Sequence, residues 1–256
     1  MTVPRIYSPG RKDSEGTIEL GAEDLHYIKH VLRLTPHDPI VVFDGGGCEY
    51  DTVIDRFTPS GVFLTVRSST RVDDFPVRIT LAQSLPKESK MDLIVQKATE
   101  LGVWRIVPFI SSRTVPRLTE EKKTARVKRW QKIAAEASKQ CLRAHIPDVG
   151  GIVSYQDMLA ETDPEALNII FWEEEAQRGI KEILTDASYM KKEELLIVIG
   201  PEGGFSRDEA AMAQERALIT AHLGRQILRV ETASLAVLAI IQYETGLIGS
   251  PVSREK

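Results

Sequence analysis

Hydrophobic positions follow two different rhythms along this chain, and the change falls near residue 70. Before it, short β-rich runs predict strands at Arg5–Tyr7, Thr17–Leu20, Ile40–Phe43, Tyr50–Ile54 and Val62–Val66, with Asp44-Gly-Gly-Gly47 as a strong turn signal. One helix interrupts them, Ala22 to Leu32, carrying Leu25, Ile28 and Leu32 on one face. Strands this short at this spacing predict a small barrel. The polar segment Ser68–Pro76 reads as a linker. Beyond it, strand alternates with helix, the signature of a mainly parallel α/β sheet. Strands are predicted at Val77–Ala82, Val103–Ile110, Asn168–Trp172, Leu195–Ile199 and Ile227–Val230. A helix stripe of Met91, Ile94, Val95, Ala98 and Leu101 is stopped by Gly102. A second helix is predicted from a Thr119 cap to about Ala144, a third over Arg207–Arg216, and an apolar one over Thr232–Leu247.

The chain of 256 residues, 42% hydrophobic, is long enough for one large domain or two ordinary ones. Cys48 and Cys141 form no CxxC and have no nearby His pair, which argues against a disulfide framework and a structural zinc site. Met1–Tyr7 lacks an apolar h-region and no apolar run approaches the ~18 residues that span a membrane, so a cytoplasmic protein is expected. The net charge of −4 conceals an asymmetry. Between Ser111 and His145, Arg113, Arg117, Lys122, Lys123, Arg126, Lys128, Arg129, Lys132, Lys139 and Arg143 face only Glu120, Glu121 and Glu136, about +7 locally against about −11 elsewhere. Such a segment is either a solvated helix face or the footprint of a polyanion such as RNA.

The chemistry concentrates in two turns. Ile199-Gly-Pro-Glu-Gly-Gly-Phe-Ser206 follows an apolar strand and opens a helix, with Ser206 and Glu209 at capping-box spacing. Three glycines there bring bare backbone close to a ligand. About twenty residues on, Leu223-Gly-Arg-Gln-Ile-Leu-Arg-Val-Glu-Thr-Ala233 adds a second glycine turn, a short apolar run and Thr232 as helix cap. Two such loops at the carboxyl ends of buried strands predict a cleft between them. No Gly-Lys-Ser/Thr follows the glycines, which argues against a P-loop.

Together these turns resemble the two S-adenosylmethionine-binding motifs of the bacterial 16S rRNA uridine N3-methyltransferases of the SPOUT superfamily. His26-Tyr-Ile-Lys-His-Val-Leu-Arg33, Phe43-Asp-Gly-Gly-Gly47, Lys90-Met-Asp-Leu-Ile-Val-Gln-Lys-Ala-Thr-Glu-Leu-Gly102 and Glu136-Ala-Ser-Lys-Gln-Cys-x-Arg143 are similar to further blocks of that family, so the likeness covers nearly the whole chain. It departs at Gln226, where the family usually has Arg, and at Val230, where it has Thr. The resemblance implies an N-terminal PUA-like β-barrel that binds RNA, residues 1–72, and a C-terminal SPOUT α/β domain with a trefoil knot, residues 73–256. It also implies a homodimer without metal that methylates N3 of one uridine, uracil-1498, in 16S rRNA or the assembled 30S subunit.

On this reading the cofactor S-adenosylmethionine contacts Phe171, Trp172, Glu173, Ile199, Gly200, Glu202, Gly203, Gly204, Leu223, Gly224, Ile227, Leu228, Thr232 and Ala233. Methylating a uracil N3 requires loss of its proton, helped by a base or by a cation that stabilises the anion. Glu202 and Glu231 are the candidate bases, and Arg229 and Arg113 the candidate cations; Glu202 also reads as a brace of its turn, and Glu231 as a partner of Arg229. His26, Arg33, Lys87, Arg113, Lys139, Gln140 and Arg143 are the candidate RNA contacts. Two alternatives stay open: a SPOUT methyltransferase acting on another base or a ribose, and an rRNA-binding protein without turnover.

Overall fold

The computed structural model describes residues 3–9, 16–72, 75, 77–87, 89–115, 118–186 and 191–249, in two compact units. Arg117, in the basic segment, lies outside the described residues. The first unit draws on residues 1–74 and 138–146, the second on 75–137 and 147–256.

In the first unit β1 (Arg5–Tyr7) and β2 (Thr17–Leu20) precede a short helix, α1 (Ala22–His26), which widens into one π turn over Tyr27–Val31. The strands β3 (Pro39–Phe43), β4 (Cys48–Phe57) and β5 (Val62–Arg71) follow. The sheet order is β1-β3-β4-β5-β2, with β1 parallel to β3 and the other pairings antiparallel. The result is the expected barrel-like unit in mixed half-barrel form, with β1 and β2 at its edges. Ile6, Ile18, Leu20, Ile28, Ile40, Val42, Ile54, Val62 and Leu64 fill its interior. Ser68–Arg71 is strand rather than linker: it pairs with Cys48–Asp51, and the Ser68 hydroxyl donates to Asp51 Oδ2 at 2.7 Å. Backbone pairing fixes a polar strand whose side chains are largely exposed, which composition does not reveal. Residues 73, 74 and 76 of that predicted linker lie outside the described residues. Ser138–Ile146 joins this unit through the Gly45–Gly47 turn, where Gly47 N–H donates to Ala144 O at 3.3 Å and Ile146 N–H to Gly45 O at 2.9 Å.

The second unit is built on a wholly parallel sheet. Its elements are β6 (Arg78–Ser84), α2 (Lys90–Glu100), β7 (Arg105–Ile110), α3 (Glu120–Gln140), β8 (Asp148–Val149), β9 (Val153–Ser154), α4 (Tyr155–Ala160) and β10 (Leu167–Phe171). These are followed by α5 (Ile180–Thr185), β11 (Glu194–Ile199), α6 (Arg207–Glu215), β12 (Ile219–Ala221) and α7 (Val230–Glu244). The order is β12-β10-β11-β6-β7-β8, with β9 also on β7. Buried on both faces, β10 and β11 read as nearly continuous apolar runs, whereas β6 also buries the polar Gln83 and Ser84. The α2 stripe is buried at Met91, Ile94, Val95 and Ala98, and Gly102 ends it at φ +84°. Helix α3 stops at Gln140, four residues before the predicted Ala144, because Leu142 turns into the left-handed region at φ +63°.

Two expectations fail near the second glycine turn. Ile227–Val230 is not a strand: residues 227–229 are irregular, Ile227 is 91% exposed, and Val230 already opens α7. The strand in that region is β12, parallel to β10. Thr232 is not the helix cap either. Arg229 holds that position at φ −63°, ψ 150°, and Thr232 lies exposed in the first turn.

Candidate active site

Three adjacent strands, β12, β10 and β11, end side by side, and the loop that leaves each carboxyl end lines one cleft of about 520 Å³. Open parallel sheets take ligands at that place, and the volume is in the range of small-molecule sites, roughly 300–1,000 Å³. The loop after β11 is the Gly200–Phe205 turn. Phe205 is fully buried and lies parallel to Phe109 with ring centroids 6.4 Å apart, which anchors the turn from beneath. Ser206 then caps α6 in a complete capping box with Glu209, as the Ser-x-x-Glu spacing predicts. The loop after β10 supplies Trp172 and Glu173, and the loop after β12 runs from His222 to Arg229.

The glycines do different things. Gly204 sits at φ +65°, and a Cβ there would lie 1.6 Å from Glu173 Oε1. At Gly200 a Cβ would meet the Phe205 ring at 3.1 Å. At Gly203 it would meet Arg113 Cβ at 3.2 Å, so a large residue there, such as Gly203→Trp, displaces Arg113 before it fills the cleft. Arg113 lies against that turn and donates from Nη1 to Gly203 O at 2.8 Å. Its own loop is tied down by Glu209, which accepts from Ser112 N–H and from the Ser112 hydroxyl, each at 2.8 Å.

All the candidate cofactor residues line this cleft except Thr232. The walls are apolar at Phe171, Ile199, Leu223 and Leu228, and neither strand nor helix takes up the backbone from Leu223 to Leu228. Exposed Ile227 and the buried indole N–H of Trp172, which has no hydrogen-bond partner among the described residues, are unsatisfied by the protein itself. These features suit a ligand with a flat apolar ring and polar edges, and S-adenosylmethionine fits that description.

Of the candidate catalytic residues, Arg229 and Glu202 line the cleft, and Arg229 makes no ion pair among the described residues. Glu231 pairs with Lys90 at 3.5 Å, where pairing with Arg229 was one expectation. The same Lys90 Nζ donates to Glu202 Oε1 at 3.0 Å, and Glu202 also accepts Lys87 N–H at 3.1 and 3.2 Å. Partial burial pushes the Glu202 carboxyl up, but hydrogen bonds from its own N–H, from Lys90 and from Lys87 outweigh it and hold the group below its usual range. The hydrogen bond to Glu202 conversely raises Lys90 against the effect of burial. Glu202 is thus a committed brace, poorly suited to act as a base. Apart from standing at the head of the family-like block Lys90–Gly102, Lys90 reads in the sequence only as a charge at a helix start.

Because the folded pKa of Glu202 is depressed, its contribution to stability is present above the ordinary glutamate value of 4.5 and is lost as the pH falls through the folded value. Glu202→Gln is therefore expected to lower stability at neutral pH, with the difference from wild type closing in acid. Urea unfolding at both pH values measures this, and a gap that persists in acid would assign the brace to neutral hydrogen bonding instead.

The RNA candidates divide between the units. Lys87 and Arg113 belong to the second, and His26, Arg33, Lys139, Gln140 and Arg143 to the first. His26 and His30 are exposed with ring centroids 4.9 Å apart, and Arg33 takes φ +57° just beyond the π turn. Burial raises the nearby Asp24 carboxyl, and Lys139 opposes the shift, which puts Lys139 beside the start of α1. Arg143 is half-buried, and desolvation pushes its guanidinium down to about 10. Among the described residues no group of acidic, His and Cys side chains could hold a metal ion, and no helix is long and apolar enough to cross a membrane.

Residues 73–242 match the model of an RNA methyltransferase domain, and residues 20–65 that of an RNA methyltransferase PUA domain. The ribosomal RNA small subunit methyltransferase E of Bacillus subtilis is 33% identical over 235 residues, covering 91% of this chain and 92% of that protein. The chain belongs to this methyltransferase family. A second member of the methyltransferase E family, from Rickettsia conorii, is 28% identical over 98% of both chains. The crystal structure of the methyltransferase E of Neisseria gonorrhoeae, bound to S-adenosyl methionine, matches with a TM-score of 0.82 and 30% identity over 94% of this chain and 98% of that one.

Proposed function

We propose that this protein transfers a methyl group from S-adenosylmethionine to N3 of a specific uridine in the 16S rRNA of the small ribosomal subunit. The observation that carries the reading is the single cleft at the ends of β12, β10 and β11, lined by the motif residues from Phe171 to Ala233, in a chain of the methyltransferase E family. When bound, the cofactor supplies an electrophilic sulfonium methyl. The glycine turn lets backbone approach it, and the apolar walls at Phe171, Ile199, Leu223 and Leu228 hold its ring. Much of the acceleration then comes from holding the uracil N3 in line with that methyl, after the base has left its stack.

The N3 proton passes to solvent water, and stabilisation of the anion it leaves is the better reading than removal by Glu202. Lys90 occupies Glu202, whereas Arg229 faces the cleft without an ion pair among the described residues and can stabilise a uracil anion. Arg113, fixed on Gly203 O, lies behind the glycine turn and supports it from outside the cleft lining. In the same reading residues 1–72 form an RNA-binding module and 73–256 the transferase domain, with the trefoil knot, homodimer and cytoplasmic location of the family. His26, Arg33, Lys87, Lys139, Gln140 and Arg143 hold the RNA.

Methyl transfer from labelled S-adenosylmethionine to small-subunit RNA or 30S particles tests the reading, with the modified atom mapped. A methyl on another base or on a ribose would move the protein to a different specificity; cofactor binding without transfer to either substrate would remove the activity. Lys139→Glu is expected to weaken RNA binding and to lower the slope of log affinity against log salt by about one. Filter binding at several salt concentrations measures it, and an unchanged slope would take Lys139 off the phosphate backbone.

A further inference from the structure

Three chain segments that are distant in sequence meet at one ammonium group. Lys90 is the first residue of α2, Glu202 lies in the turn after β11, and Glu231 is in the first turn of α7. Lys90 Nζ lies 3.0 Å from Glu202 Oε1 and 3.5 Å from Glu231 Oε2, and their side chains keep only 29%, 24% and 17% of their full exposure. Glu231 Oε2 is buried and accepts no hydrogen bond among the described residues, so the Lys90 charge is what compensates it. Glu202 belongs to the first glycine-turn motif and Glu231 to the second, and Glu202 and Lys90 line the cleft.

We propose that Lys90 is a positioning residue that clamps the two cofactor turns together, its ammonium holding the Glu202 and Glu231 carboxylates at one point. The proposal rests on the reading of the cleft as an S-adenosylmethionine site. Two partly buried carboxylates drawn to one cation repel each other once it is gone, and an uncompensated buried carboxylate costs far more than the pair contributes. Loss of Lys90 therefore drives apart the two turns that must close on one ligand. The Lys87 N–H bonds still hold Glu202 near α2, so the released partner is the α7 side, Glu231.

The test is calorimetric titration of the full chain with S-adenosylmethionine. Lys90→Met is expected to weaken binding at least about tenfold, and Lys90→Arg, which keeps the charge, to stay within about threefold of wild type. The double variant Lys90→Met with Glu231→Gln removes the repelling carboxylate as well and is expected to regain most of the loss. A general packing role for Lys90 cannot produce that recovery. Wild-type affinity in Lys90→Met, or a double variant no better than Lys90→Met, overturns the clamp. Should Lys90→Met fail to fold, the decision passes to Lys90→Arg and the double variant, where equal loss of binding in both overturns it. Failure of the wild-type chain to bind the cofactor would instead overturn the site itself, leaving the two outcomes distinct.

Discussion

Gly204→Ala is expected to lower affinity for S-adenosylmethionine at least about tenfold while the fold survives. Two costs combine at this residue. The left-handed conformation at φ +65° costs an alanine roughly 1–2 kcal/mol. The new Cβ would also lie 1.6 Å from Glu173 Oε1 and 2.3 Å from its Cδ, so that the Glu173 side chain must leave. Glu173 lines the cleft, and its departure changes both the shape and the charge of the cofactor wall. Calorimetric titration measures the loss, and thermal melting checks the fold. Gly203→Ala separates the two costs, because its φ is not left-handed and its Cβ presses on Arg113 rather than on Glu173, so a smaller loss is expected there. Adding Glu173→Ala to Gly204→Ala removes the clash and leaves the strain, so the fraction of affinity recovered apportions the two. Equal affinity in wild type and Gly204→Ala would mean that the turn does not touch the cofactor.

What the sequence disclosed and what it withheld divide by range. The capping box of Ser206 and Glu209 is a contact between residues three apart, and the α2 stripe repeats within one helix, so both are legible from neighbours alone. The runs of β10 and β11 are legible because burial on both faces leaves them almost wholly apolar, interrupted by Asn168 and the exposed Glu194. Ile227 and Leu228 mislead for a physical reason. Apolar residues that line an open cleft have the composition of a strand, and only the absence of a partner strand reveals the difference. The strand that does lie there, Ile219-Thr-Ala221, is too short for any period to show. The Lys90 junction and the docking of Ser138–Ile146 on the Gly45–Gly47 turn join residues about a hundred apart, for which a single sequence has no signal.

Glu209 shows how a locally legible residue can carry a second, non-local role, and its removal is the other large effect expected. Its side chain completes the capping box by accepting Ser206 N–H at 2.9 Å, yet the same carboxylate holds Ser112, and only 3% of the residue is exposed. Glu209→Ala leaves two backbone donors and one hydroxyl without their acceptor. At about 1–3 kcal/mol for each buried group left unpaired, the loss of stability should reach about 3 kcal/mol. Glu209→Gln keeps one acceptor oxygen and should fall between the two. The functional consequence passes through Ser112 to its neighbour Arg113, whose Nη1 holds Gly203 O. Ser112→Ala removes the hydroxyl half of that tie and leaves the Ser112 N–H bond and the α6 cap intact, so it should lower methyl transfer modestly with little change in melting temperature. Combined with Arg113→Ala it should do no further harm, because both changes break one chain of contacts. Additive losses in that double variant would show that Ser112 acts on the site by another route, and would confine Glu209 to its role as a helix cap.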